Sequence, residues 1–214
     1  MVKPMRRFHD VQQNTDEWFD LRKGKITCSN LGKIMANEGK AFGEPAKDYA
    51  LEVAIERITG ELKKNGYQNE HMQRGHEQEP LARMLYEDMF FCTVNNGGFF
   101  DCGNIGCSVD GIVGQPGRIE IKSVIDKVHY ANVKRGGIDP SYKWQLFGNL
   151  KYSAGEWIDF LSFCVDFPEG KRLFRYRIFR NNCFKLFRRI DKRVRQFEEL
   201  INQTCMEIER GKYL

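Results

Sequence analysis

The run Arg118-Ile119-Glu120-Ile121-Lys122-Ser123-Val124 admits little other than a strand packed on a core. Side chains alternate faces along a strand, so Ile119 and Ile121 bury one side while Glu120 and Lys122 share the other. A charge turned inward without a partner is costly, so Glu120 and Lys122 need company. Upstream, Cys107-Ser108-Val109-Asp110-Gly111 reads as a strand ending at Asp110, joined to the first by a Gly/Pro-rich turn. That turn would set a second carboxylate beside Glu120. Two carboxylates bind hard divalent cations through oxygen, and a neighbouring ammonium orients a water or steadies phosphate charge. The chemistry expected is metal-dependent phosphodiester hydrolysis. By itself the spacing is weak evidence and describes a hairpin with solvated charges as well.

The flanking sequence supplies helices and further strands. Periodicity predicts helices over 15–22, with Thr15 as cap, and from near Ser29 to 36 after a turn at Gly24. The loop 37–45, with its glycines and Lys40, is expected to be mobile. Further helices are predicted over 47–64 and 71–89, the second broken or restarted at Pro80. Strands follow at 92–99, 106–110 and 118–124, then a helix at 142–151 and strands at 157–166 and 172–179. Asn182 is the candidate cap of a long final helix. The order predicts one α/β unit, a mixed central sheet flanked by helices.

At 214 residues, with 41% hydrophobic and 13% aromatic content, the chain can bury a sizeable core and is not disordered. No apolar run reaches membrane-spanning length, and Met1-Val2-Lys3-Pro4-Met5-Arg6-Arg7 lacks the apolar centre of a signal peptide, so a soluble intracellular protein is expected. The net charge of +5 is modest, but Lys185, Arg188, Arg189, Lys192, Arg193 and Arg195 crowd one segment. Such a face suits a polyanion or is merely solvated surface. The seven cysteines include no Cys-x-x-Cys pair and read as reduced, mostly buried thiols. No iron–sulfur cluster is expected, because its close-set cysteines are missing.

Three more groups are candidates for the site. Glu79, within Arg74-Gly75-His76-Glu77-Gln78-Glu79-Pro80, is either a surface acid or a carboxylate projecting from a helix onto the Asp110/Glu120 edge, where it could hold a second cation. Gln145 lies at the start of an apolar helical stretch and either satisfies backbone groups or points into the site. Arg22 and Ser29 are either helix-capping and surface residues or a phosphate seat, the hydroxyl at a helix N-terminus and the guanidinium clamping the anion.

In order, the chain carries Trp18…Leu21-Arg22…Ile26-Thr27-Cys28-Ser29, Gly75…Glu79-Pro80…Ala82-Arg83, Ser108-Val109-Asp110-Gly111, Glu120-Ile121-Lys122 and Gln145. The series resembles the phage lambda exonuclease/YqaJ family of viral recombination nucleases (alkaline exonucleases), within the restriction-endonuclease-like, PD-(D/E)XK, superfamily. The resemblance implies a single nuclease domain over 1–214, its motif-bearing core at about 14–180 and a basic C-terminal helix at about 182–210. It implies a 5′-to-3′ exonuclease that degrades one strand of linear duplex DNA and leaves 3′ overhangs for an annealing protein in recombination. Asp110 and Glu120 would bind Mg2+, with Mn2+ as an alternative and the Ile121 carbonyl as a further ligand. Glu79 would assist, Lys122 and Gln145 would position and activate the attacking water, and Arg22 and Ser29 would hold the terminal 5′-phosphate. Met72 would be the apolar wedge at the DNA end. A ring-shaped homotrimer, a phage or prophage origin and a place in the bacterial cytoplasm are likewise implied. Val109 departs from the family's proline before the aspartate. A restriction- or repair-type endonuclease of the same superfamily, and an inactive DNA-end-binding module, are the rival readings.

Overall fold

The computed structural model of the protein describes residues 6–62 and 70–211, the side chains of 70–72 excepted. The chain opens with β1 (Arg7–His9), α1 (Asp16–Arg22) and β2 (Ile26–Thr27). As expected, Thr15 caps α1, its hydroxyl accepting from the Trp18 N–H. A 3-10 turn, Cys28–Asn30, leads into the short α2 (Leu31–Met35), followed by α3 (Glu44–Thr59) and α4 (Glu70–Phe90). Pro80 neither breaks nor restarts α4. The helix is fixed from outside, through buried Ala82 and Tyr86 packed with Ile119, Ile121 and Phe163, and tertiary packing overrides the local penalty.

Next come β3 (Val94–Asn95), β4 (Phe99–Asp101), β5 (Ile105–Cys107), β6 (Gly111–Val113) and β7 (Gly117–Ser123). The helix α5 (Asp126–Arg135), absent from the sequence reading, precedes α6 (Lys143–Tyr152), β8 (Trp157–Phe163), β9 (Leu173–Phe179) and α7 (Phe184–Arg210). Its apolar positions are few, and it is pinned by polar groups: His129 and Asn132 both hydrogen-bond the buried Ser162 hydroxyl. Asn182 caps nothing; Cys183 holds the N-cap position of α7 without a side-chain bond, because a 3-10 turn at Arg180–Asn182 already turns the chain.

Two sheets form where the sequence predicts one. The smaller runs β1-β4-β5-β2, the larger β3-β6-β7-β8-β9, mixed because β7 pairs parallel with β8 and antiparallel with β6. The expected strand 92–99 is divided between them, and Asp110 does not end a strand. It stands in the crossing from β5 to β6, its N–H still bonded to the Ile119 carbonyl at 3.1 Å. Gly97 makes that crossing possible, since a Cβ there would lie 1.6 Å from the Val109 carbonyl oxygen. Gly148 does the same for α6, where a Cβ would meet Leu31 at 2.3 Å and Cys28 Sγ at 2.9 Å. Without that glycine α6 could not close on the turn that carries Ser29.

The alternation read from β7 holds. Ile119 and Ile121 pack on α4, while Glu120 and Lys122 face the side covered by α6. All seven cysteines are free thiols. The loop expected to be mobile is tied to α7. Buried Arg193 donates to the carbonyls of Ile34, Ala36 and Lys40 and lies over the Phe42 ring, and Arg189 pairs with Glu38.

Candidate active site

Four pieces of chain converge on a cleft of about 260 Å³ bordered by Glu79, Asp110, Glu120, Lys122 and Gln145. Glu120, 1% exposed, has every oxygen engaged: Oε1 meets Lys122 Nζ at 2.8 Å and Gln145 Nε2 at 2.6 Å, and Oε2 accepts from Asn149 Nδ2 at 2.7 Å. Gln145 therefore points into the site. Asp110 Oδ2 accepts the Ile121 N–H at 2.6 Å, while its Oδ1 has no hydrogen-bond partner among the described residues. In an extended residue N–H and C=O leave the same strand edge, so the Ile121 carbonyl lies on the Asp110 side.

Glu79 borders the cleft but is tied to Arg83 at 3.2 Å, and Arg83 also donates to the Asp110 carbonyl. Burial, then the charges of Glu120 and Glu79, push the Asp110 carboxyl well above the ordinary carboxylate range, while Lys122 and the Ile121 amide draw it back. Lys122 is held above its own ordinary value: burial works against the ammonium, but Glu120 and Asp110 outweigh it.

Arg22 and Ser29 border the same cleft. Arg22 is partly buried against the Trp18 ring at 3.9 Å and pairs with no carboxylate among the described residues. Ser29 is exposed, 3.2 Å from the Thr27 hydroxyl; it sits in the 3-10 turn rather than at the first turn of a long helix. Beyond Arg22 opens a larger hollow of about 980 Å³, where Asp16, Asp20, Glu52, Glu56 and Glu61 outnumber Arg22, Lys23 and Lys25. The side chain of Met72 lies outside the described residues.

The donor set suits a hard divalent cation. Oxygen ligands dominate, and three carboxylates, Asp110, Glu120 and Glu79, share the cleft with one ammonium. Among the described residues no three Asp, Glu, His or Cys side chains stand close enough to share one ion. An ion here would take Asp110 and Glu120, the Ile121 carbonyl and water, the sparse carboxylate ligation typical of Mg2+.

Sequence reading missed Asn149, Trp18 and Gln13 as site residues. Asn149 bridges Glu120 to the Ser108 carbonyl, at 3.2 Å; Trp18 Nε1 donates to the Ser108 hydroxyl at 2.8 Å; Gln13 donates to the Val109 carbonyl at 3.0 Å. Together they hold the segment that carries Asp110. Asn149 was findable, because it follows Gln145 at i, i+4 on one helical face. Asn149→Ala is expected to lower divalent-ion affinity and activity by roughly 10- to 100-fold, the usual cost of losing the partner of a ligand. Metal titration of the folded variant checks this, and wild-type affinity would contradict it.

The chain matches the model of the YqaJ-like viral recombinase domain over residues 17–155. In three dimensions it is similar to the crystal structure of an alkaline exonuclease (LHK-Exo) from Laribacter hongkongensis, with TM-score 0.81 and 30% identity over 92% of this chain and 97% of that one. The same enzyme in complex with dAMP matches with TM-score 0.81 and 30% identity, over 92% and 97% of the two chains. A phage related exonuclease from Haemophilus somnus 129PT matches at TM-score 0.65 and 20% identity, over 89% and 99% of the two chains, a likeness of fold alone. No curated protein sequence matches the chain significantly. The fold is restriction-endonuclease-like, with mixed sheets flanked by helices. Among the described residues no helix is long and apolar enough to cross a membrane.

Proposed function

The chain belongs to the YqaJ-like viral recombinase family and is a DNA nuclease, and from that premise we propose that it is a 5′-to-3′ exonuclease of linear duplex DNA using Mg2+. It leaves 3′ overhangs for a single-strand annealing protein in recombination. One observation carries the reading: Asp110, Glu120, Lys122 and Gln145 border one cleft with Arg22, which pairs with no carboxylate among the described residues, beside them. A carboxylate pair is a site for metal-assisted hydrolysis, and an adjacent anion seat is what an enzyme gripping a 5′-phosphate needs. Family membership further supports a single domain, a homotrimer and a phage-type origin in the bacterial cytoplasm.

Asp110 and Glu120, with the Ile121 carbonyl, would hold the cation and Glu79 would assist. Bound there, a divalent ion lowers the pKa of water and offsets charge on the leaving oxygen. Arg22 and Ser29 grip the terminal phosphate and so register the first internucleotide phosphorus over the carboxylates. Gln145 and Lys122 fix the attacking water; Lys122, held as an ammonium, donates rather than accepts. Water oxygen bonds to phosphorus and the P–O3′ bond breaks. The first nucleotide departs with a 3′ hydroxyl, and the next one keeps a new 5′-phosphate. The dAMP bound by the Laribacter enzyme is a mononucleotide of the kind such a cut releases.

End-labelled linear duplex with and without a 5′-phosphate tests this. Digestion should start at phosphorylated 5′ ends, fall at least roughly tenfold on 5′-hydroxyl ends, and spare closed circles, a loss fitting one charge-assisted phosphate grip. Cleavage of the circle, or digestion from 3′ ends, would overturn it.

A further inference from the structure

The exposed flank of α7 has no part in that chemistry. Lys185, Arg188, Lys192 and Arg195 recur at helical spacing and are all exposed, opposite the core-facing Phe187, Ile190, Phe197 and Ile201. None of the four pairs with a carboxylate among the described residues. Of the acids beside them, Asp191 meets Lys151, Glu198 meets Arg57 and Glu38, from the loop after α2, meets Arg189, while exposed Glu199 at the C-terminal end pairs with none of them. Arg193, counted with them by sequence, is withdrawn, buried against the loop carbonyls. What remains is a stripe of four cations with no ion pair among the described residues and one exposed acid, Glu199, at its end.

Its edge touches α6, the helix that carries Gln145. Arg189, at its edge, lies over the Trp144 ring at 5.1 Å, and Trp144 adjoins Gln145 of the site. From Lys185 to Arg195 the helix rises about 15 Å, four to five base-pair steps at roughly 3.4 Å each. We propose that this stripe binds the sugar–phosphate backbone of duplex DNA away from the end being hydrolysed, independently of sequence. The proposal rests on the reading of the cleft as a DNA-end nuclease. A line of unpaired cations held rigid on a helix gains affinity by releasing counterions from a phosphate chain, with nothing to read the bases.

The test compares Arg188→Gln/Lys192→Gln with an equal change of charge elsewhere, Lys127→Gln/Lys134→Gln on α5, where both lysines are also exposed. Binding of a blunt duplex of about 30 base pairs is followed against salt with divalent ions chelated. The α7 pair should make the slope of log affinity on log salt shallower by about 1.8, roughly 0.9 per phosphate contact, and the α5 pair should leave it unchanged. With Mg2+ restored, the α7 pair should still digest ends that are saturated with protein. An unmoved slope, or equal changes from both pairs, overturns the proposal. So does an unchanged DNA slope with altered sedimentation or lost binding to anionic vesicles, which would assign the stripe to another copy or to a membrane. If wild-type protein digests no DNA yet the α7 pair alone flattens the slope, the nuclease reading falls and the stripe stands.

Discussion

Asp110→Asn protein should lose DNA hydrolysis by on the order of 1,000-fold or more, beyond the effect of removing an outer partner, while still binding duplex ends. Without divalent ions it should also melt above the wild type at pH 8. Both effects come from one geometry. Asp110 lies among Glu120 and Glu79 in a partly buried cleft, and burial with those charges raises its pKa. An acid whose folded pKa is raised contributes most below its unfolded value, near 3.9. Its contribution falls as pH climbs through the folded value, and above that the whole penalty is present. Asparagine removes the charge yet keeps an acceptor for the Ile121 N–H. The melting gap between variant and wild type should therefore widen from pH 4 to pH 8. Normal digestion by the folded variant would end the assignment.

Lys122→Ala should cost activity by roughly 100- to 1,000-fold, the effect of removing one preorganised donor. It should also lower unfolding free energy by about 3 kcal/mol. Glu120 is 1% exposed and Lys122 only 21%, so truncation strands a buried carboxylate. Gln145 and Asn149 still donate to it, which keeps the loss at the lower end. Lys122→Ala/Glu120→Gln should regain most of the stability and none of the activity. Denaturant unfolding of the three proteins measures this. Equal stability of Lys122→Ala and wild type would mean that the ammonium does not compensate Glu120.

The site was legible where chemistry and periodicity coincide. The alternation in β7 gave the shared face of Glu120 and Lys122, and Thr15 was readable as a cap because its motif is local. What escaped depends on contacts distant in sequence. Asp110 sits in a crossing between two sheets because Gly97 lets Val109 pass, and a run that looked like one strand, 92–99, serves both sheets. α5 is held by a buried histidine and asparagine rather than an apolar stripe, so no periodic signal announces it. Pro80 fits a continuous helix only through the packing of Ala82 and Tyr86. Arg193 looked like part of a basic face until its carbonyl partners, more than a hundred residues earlier, were in place.

Titration calorimetry of Mn2+ into wild type, Asp110→Asn and Glu120→Gln bears most directly on the cleft as a metal site. Saturable binding to the wild type should weaken at least roughly tenfold in each variant, as expected when a ligand carboxylate is lost. Equal binding by all three proteins would mean that Asp110 and Glu120 hold no ion.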